Sequence, residues 1–352
     1  MPEPIRGRGA SFNPSNRFIP LHYEEDPARI DADAPSPRTQ FYEDRSRSII
    51  SHNDSPDVGF SYSLNPYRGC EHGCSYCYAR PFHEYLGFSA GLDFETKIVV
   101  KRDAPELLRR ELMKPSWQPV MLALSGVTDA YQPIEKRLGI TRQCLEVLAE
   151  FRHPVGIVTK NHLVTRDLDL LSELARFHAV HVFLSVTTLN ADLARRLEPR
   201  ASTPEGRLTA IRELSSAGIP VGVMVAPIIP GLTDHEIPAI LEAAADAGAR
   251  YAAHVLLRLP FAVKDLFEHW LRCLMPDKAD KVLSRIRSIR GGRLNDSQFG
   301  RRMRGEGALA QVIQDQFELY RRRFGLPEQA PELSIASFRR PVPVQQRLFD
   351  EK

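Results

Sequence analysis

Residues 65–81 read N-P-Y-R-G-C-E-H-G-C-S-Y-C-Y-A-R-P, and the spacing inside this stretch decides what the chain is built to hold. Cys70, Cys74 and Cys77 fall within eight residues as C-x3-C-x2-C, three of the five cysteines in the chain. Disulfides consume thiols in pairs and a structural zinc site takes four protein ligands, so three clustered thiols fit neither directly. A [4Fe–4S] cluster is held by cysteine thiolates. Held by only three, it keeps one iron open for a substrate or cofactor. The competing readings are a zinc ion completed by His72 or His83, and three thiols without a ligand.

Outward from this loop, the composition bounds the rest. A length of 352 residues exceeds one average domain yet suits a single barrel with appendages. Hydrophobic content of 43% with 26% charged residues describes a globular chain with a sizeable core. No run approaches about eighteen uncharged apolar residues, so no membrane-spanning helix is expected. The opening M-P-E-P-I-R-G-R-G-A lacks the apolar segment of a signal peptide. Clustered thiols in such a chain predict a reducing, cytoplasmic compartment. The net charge of +3 is too small to name a partner.

Residues 1–56 are rich in Pro, Ser, Asp and Arg and carry no sustained period, which predicts an extended or disordered arm touching the body near 18–21. From residue 60 the pattern changes. Short β-branched runs at 60–64, 120–124, 155–158, 180–186, 221–226 and 252–257 alternate with helical patterns at 137–151, 166–177, 204–217 and 234–247. Such alternation makes βα units with parallel strands, here a partial (β/α)6 TIM-like barrel over 57–276. Lys97–Val100 reads as an additional strand in the first crossover. Thr203, Pro204 and Glu205 form a helix start, and Gly218 and Gly248 mark helix ends. Residues 277–352 are expected to form a basic helical extension and a flexible tail. Within them, 281–323 carries eleven Lys or Arg against four acids, about +7. Chemistry in α/β barrels gathers at the C-terminal ends of the strands, which is where the cysteine loop falls.

Several further blocks sit at predicted strand ends: C-S-Y-C-Y-A-R at 74–80, S-G-V-T-D-A-Y-Q-P-I-E at 125–135, V-T-K-N at 158–161, F-L-S-V-T-T at 183–188, L-E-P-R-A-S-T-P-E-G-R-L at 197–208 and V-M-V-A-P-I-I-P-G-L-T-D at 223–234. Together with the cysteine motif they resemble the radical S-adenosylmethionine (SAM) superfamily, and within it the spore photoproduct lyase-like branch, over roughly residues 62–260.

The resemblance implies a [4Fe–4S] cluster on Cys70, Cys74 and Cys77, with SAM chelated to the open iron. It implies one-electron cleavage of SAM to methionine and a 5′-deoxyadenosyl radical, which takes a hydrogen atom from the substrate. An electron donor such as flavodoxin or ferredoxin would be a partner. By the same resemblance Tyr76 packs on the adenine, Ser125 binds the SAM amino group, and Ser185 bonds the ribose. Lys160 meets the SAM carboxylate or a substrate phosphate. Asp129 and Arg200 face the cofactor, and Tyr78 corresponds to a tyrosine of radical relay. One feature departs from the lyase pattern: residues 123–125, where a hydrogen-donating cysteine is expected, read Ala-Leu-Ser. Cys144 lies in a helical pattern at a core-like position, and Cys273 lies on a late helix.

Arg301, Arg302 and Arg304, with aromatic residues interleaved, suit a phosphate backbone; the alternative is the solvated face of a helix over 311–324. Gln345, Leu348 and Phe349 in P-V-P-V-Q-Q-R-L-F-D resemble the short peptide that docks on the bacterial sliding clamp. The expected substrate is damaged nucleic acid, as for a DNA-repair lyase. The rivals are a radical SAM enzyme acting on a peptide or small metabolite, and a zinc-stabilised nucleic-acid-binding module without turnover.

Overall fold

Six parallel strands and one antiparallel edge strand form the main sheet of the computed structural model, which describes residues 2–19 and 37–341. In chain order the strands are β1 (Gln40–Glu43), β2 (Ile50–His52), β3 (Tyr62–Leu64), β4 (Tyr67–Arg68), β5 (Lys97–Val100), β6 (Leu122–Leu124), β7 (Val155–Thr159), β8 (Val180–Ser185), β9 (Val221–Ile228) and β10 (Ala252–Leu256). The main sheet runs β10-β9-β8-β7-β6-β3-β2, with only β2 antiparallel. This is the expected partial barrel. β7, β8 and β9 are covered on both faces, which explains their nearly continuous apolar reading. Helices Ile140–Phe151, Leu168–Arg176, Pro204–Ser216 and Ile237–Asp246 pack outside them, burying Leu145, Leu171, Ile211 and Ile240 against the strands. Thr203 caps its helix as predicted, its hydroxyl accepting from the Gly206 amide at 3.2 Å. No helix among the described residues is long and apolar enough to cross a membrane.

Two expectations gain detail. The N-terminal arm is extended, and its described residues are held on the body. β1 pairs with β5, and β5 with β4, in a separate three-stranded sheet inside the first crossover. β2 covers the free edge of β3, removing a row of unpaired backbone groups. Ahead of these strands, Gly9 and Ala10 donate their amides to the Glu95 carboxylate at 3.1 and 2.9 Å. Phe18 does touch the body, stacking on Tyr85 at 4.8 Å, whereas residues 20–36 lie outside the described residues. An arm held by backbone hydrogen bonds needs no hydrophobic period, so the sequence carried no signal of its order.

The segment beyond 276 is part of the barrel wall. Pro276–Ser288 packs on Val263–Leu274 around Phe267, Trp270, Leu283 and Ile286. Ala308–Arg323 sends Ile313 and Phe317 into the main core, with the Phe317 ring 4.2 Å from His254 of β10. The physical reason is that β10 ends the sheet and its outer side requires a cover. Gln345, Leu348 and Phe349 lie outside the described residues.

Gly9 gives a direct test of the arm. A Cβ there would come within 1.7 Å of the Gly73 carbonyl oxygen, inside the cysteine loop. Gly9→Ala is expected to lower stability by about 1–3 kcal/mol, the usual cost of overpacking. Thermal unfolding and the rate of iron loss in air check this; an unchanged melting point would mean that the arm is not seated on the loop.

Candidate active site

The cysteine loop leaves β3 and β4 and is clamped from several sides. Arg80, three residues beyond Cys77 and fully buried, donates to the Cys74 carbonyl at 2.8 and 3.1 Å and to the Gly91 carbonyl at 2.9 Å. Its charge is paired with Glu95, also fully buried, which holds the arm from its other side. Cys70 donates its amide to the Phe94 carbonyl and Ser75 its amide to the Leu197 carbonyl, each at 2.9 Å. Glu71 accepts from the Ile134 amide at 2.8 Å. The loop geometry is thus set by the protein and does not wait for a ligand.

All three thiols are free, Cys70 and Cys74 buried and Cys77 half-buried. Burial pushes each of them above the ordinary thiol value, with Asp129 and the other two cysteines adding to it at Cys70 and Glu198 at Cys74. Without a cationic centre they remain neutral. An all-thiol donor set of three, with Lys160 near Cys74 and Arg80 near Cys77 to offset thiolate charge, fits an iron–sulfur cluster. A zinc ion would need a fourth protein ligand beside the three thiols. His72 instead meets Asp129 at 3.3 Å and Asn161 at 3.2 Å, and His83 packs its ring against Phe88 and Phe94.

Behind the loop, at the C-terminal ends of β7, β8 and β9, lies a buried polar network. Tyr76 donates its hydroxyl to Glu198, which is ion-paired with Arg207 and with Lys160 at 3.0 Å. The Lys160 ammonium also donates to Ser185 Oγ at 2.8 Å, Thr187 Oγ1 at 3.1 Å and the Ala226 carbonyl at 3.0 Å. Arg207 donates to the Ser185 and Ser202 carbonyls, each at 2.9 Å. Burial opposes the charge on Glu198, but Arg207 and Lys160 outweigh it and hold its carboxyl far below the usual carboxylate range. Sequence reasoning reached Tyr76, Lys160 and Ser185 but missed Glu198, Arg207, Thr187, Arg80 and Glu95. Four of these lie in the matched blocks, all but Glu95, so their signal was a charged or polar residue within a motif at a strand end.

The remaining predicted residues separate into two groups. Ser125 ends β6 in left-handed backbone (φ 73°), a conformation costly for a residue with a side chain and one that tends to cluster at functional sites. Asp129 is spent on structure: it accepts from Thr159 at 2.7 Å, from the Lys160 amide at 2.9 Å and from the Tyr131 amide at 2.8 Å, besides facing His72. Arg200 bridges the arm and the loop, donating to the Gly7 carbonyl at 3.1 Å and lying 3.7 Å from Glu71. Lys160 is at the predicted strand end, with its ammonium turned to the four acceptors named above.

Tyr78 stands at the open side of the barrel, its hydroxyl donating to the Gly126 carbonyl at 2.8 Å and its ring 5.4 Å from the Arg258 guanidinium. Across this opening, Asp57 of the β2–β3 turn accepts from the Gly300 amide at 2.7 Å and pairs with Arg302 at 2.5 Å, so the two ends of the sheet are clasped. Arg302 is therefore committed within the chain. Arg301 pairs with Asp296 at 3.0 Å and Glu306 at 2.9 Å, while Arg304 is exposed. The three do not form a free basic stripe, because neighbouring carboxylates neutralise two of them. At the end of β6 the expected donor thiol is absent, and Cys144 is buried in the core on Ile140–Phe151.

This geometry has known counterparts. An uncharacterised protein of Mycobacterium tuberculosis is 39% identical over 232 residues, 65% of this chain and 67% of its own. A Radical SAM Nalpha-GlyT isomerase of Pseudomonas phage M6 is 27% identical over 202 residues, 57% of this chain and 40% of its own. Among solved structures, spore photoproduct lyase with bound AdoMet and dinucleoside spore photoproduct superposes with a TM-score of 0.60 over 83% of this chain and 82% of that one. At 18% identity this is a likeness of fold. The model of the radical SAM superfamily matches residues 64–244, and the chain belongs to that superfamily, an enzyme that works with a [4Fe–4S] cluster and SAM.

Proposed function

We propose that Cys70, Cys74 and Cys77 hold the cluster, that Tyr76, Ser125 and Ser185 border the SAM site, and that the substrate is a nucleic acid carrying a damaged or modified nucleotide. When bound, the cluster supplies the electron for reductive cleavage of SAM and hence for hydrogen abstraction from the substrate. The chain's own residues position and shield. Arg80 and Glu95 fix the loop; Lys160, Glu198 and Arg207 fix Tyr76 between two cluster ligands; Asp129 fixes His72.

The observation that carries the substrate class is the rim of the opening, where half-exposed aromatic rings alternate with guanidinium groups. Arg258 lies on Tyr78, Arg302 lies 4.4 Å from the Phe299 ring, and Arg17 lies 3.6 Å from Phe261 and 5.1 Å from Phe18, which stacks on Tyr85. Aromatic faces take stacked bases, whichever base is present, and Arg258 is placed to take the backbone, Arg302 and Arg17 being paired with Asp57 and Glu84. The fold shared with spore photoproduct lyase is consistent with this reading.

Anaerobically reconstituted protein with SAM and a reductant is expected to form 5′-deoxyadenosine faster with ultraviolet-irradiated or modified single-stranded DNA than without substrate. Tyr78→Ala and Arg258→Gln should remove that stimulation, by about tenfold, while leaving iron content unchanged, as expected for lost base stacking. Stimulation by peptides or small metabolites and by no nucleic acid would overturn the reading.

The absence of a thiol at the end of β6 favours a particular outcome, in which the hydrogen taken from the substrate is given back by 5′-deoxyadenosine. An isomerisation needs a hydrogen atom returned to the product radical, which 5′-deoxyadenosine can do where no thiol stands, and the phage relative bears the name of an isomerase. SAM consumed well below one equivalent per product would support it, and stoichiometric consumption would remove it.

A further inference from the structure

We infer that a cleft beyond the end of β10 binds a phosphate group of the substrate strand, an inference that rests on the nucleic-acid reading above. The cleft, of about 270 Å³, is lined by Arg290, Arg293, Asn295, Asp296, Ser297 and Arg301. Three arginines face one aspartate, which pairs with Arg301 at 3.0 Å and accepts from the Gln298 amide at 2.9 Å; Arg301 is further paired with Glu306, so among the described residues the cleft's unpaired cations are Arg290 and Arg293.

Arg290 is the unusual member. It is 3% exposed, and its terminal nitrogens donate only to carbonyls, of Arg301 at 3.0 Å and of Leu257 at 2.7 Å. No carboxylate pairs with it among the described residues, and the Nε atoms of Arg290 and Arg301 both lack a hydrogen-bond partner there. A buried cation without a counterion is costly, so such groups are ordinarily paired. Burial accordingly lowers the Arg290 guanidinium to about 10, Asp296 offsetting part of this and Arg258 adding to it. An anion in the cleft supplies the missing countercharge. Phosphate suits it better than a carboxylate, because it presents several acceptor oxygens to more than one planar guanidinium at once.

Placement ties the cleft to the chemistry. Arg290 holds the Leu257 carbonyl and Asn295 accepts from the Leu259 amide at 3.1 Å, and between these residues lies Arg258, on the ring of Tyr78. A phosphate held there anchors the strand beside the rim, leaving an adjoining base free to reach over the cysteine loop.

The test uses the full, reconstituted chain and a labelled short single-stranded oligonucleotide, read by fluorescence anisotropy. A methylphosphonate oligonucleotide of the same sequence and inorganic phosphate form the other arms. Arg293, whose side chain is exposed, is expected to tolerate Arg293→Gln without loss of fold. That variant should bind the oligonucleotide about tenfold more weakly and lower the salt slope by about one, with unchanged iron content. Arg290→Lys, which keeps the charge and removes the fork, should weaken binding similarly. Arg322→Gln, on the outer helix, should bind as wild type. Equal affinity for the neutral and the charged oligonucleotide, or equal losses in Arg293→Gln and Arg322→Gln, would overturn the cleft. Nucleic-acid stimulation of turnover that is intact in Arg293→Gln would remove the cleft and keep the substrate class. Inorganic phosphate binding lost in Arg293→Gln, with no oligonucleotide binding, would keep the anion site and remove the nucleic-acid reading. Acidic peptides competing where phosphate does not would overturn both.

Discussion

Alanine at Cys70, Cys74 or Cys77 is expected to take bound iron from about four per chain to near zero, and 5′-deoxyadenosine formation with it. The loop is preformed by Arg80, Glu95 and the Leu197 and Phe94 carbonyls, so it does not rearrange to recruit a substitute ligand. Nor is one at hand among the described residues beside the loop, since His72 is engaged by Asp129 and Asn161. Cys144→Ala and Cys273→Ala are the controls. Cys144 is packed in the main core, so its loss costs on the order of 1 kcal/mol in stability while leaving iron untouched. Iron and sulfide analysis of anaerobically reconstituted variants decides the matter. Full iron in any one of the three loop variants would sink the ligand assignment; iron lost in Cys144→Ala without unfolding would show that a fourth thiol had been overlooked.

What was legible in the sequence follows from what local pattern encodes. The strands were readable because β7, β8 and β9 are buried on both faces, which leaves runs such as V-H-V-F-L-S with little polar interruption. The cysteine loop was readable because its ligands are adjacent. Charged residues held in place by other charged residues were not. Arg80 and Glu95, or Arg207 and Glu198, would each be expected on the surface, since a charge is fully buried only when paired. Their partners become visible only when the fold brings a strand end against a loop. Arg302 erred in the opposite direction: its charge suggested a phosphate, whereas its partner Asp57 lies 245 residues away. The seating of the arm was not legible for a third reason, because Gly9 and Ala10 are held through their backbone amides, which any sequence possesses.

Glu198→Ala is expected to be among the most damaging single changes outside the cysteines, at about 3–5 kcal/mol, because it leaves a buried cation unpaired. Arg207 is 1% exposed and would keep only the Ser185 and Ser202 carbonyls. Lys160 would lose its charge partner, and Tyr76 its main hydroxyl acceptor. Glu198→Gln preserves shape and one acceptor and should cost less, about 1–3 kcal/mol. Removing both charges in Glu198→Gln with Arg207→Met should cost less than the two single losses added, since no orphaned ion remains. The pH dependence carries a sign. The Glu198 carboxyl lies below its unfolded value, so its contribution is present above the ordinary carboxylate range and fades as pH falls through the folded value in strong acid. Glu198→Gln should therefore flatten the acid limb of the stability curve, below about pH 4, and leave the neutral slope alone. Unfolding of apo and reconstituted protein separates structure from cofactor. The apo variant must lose stability, and the reconstituted one must also bind SAM more weakly, because Tyr76 lies between Cys74 and Cys77. A loss below about 1 kcal/mol in Glu198→Ala would mean that water reaches Arg207 and that the network does not hold the loop.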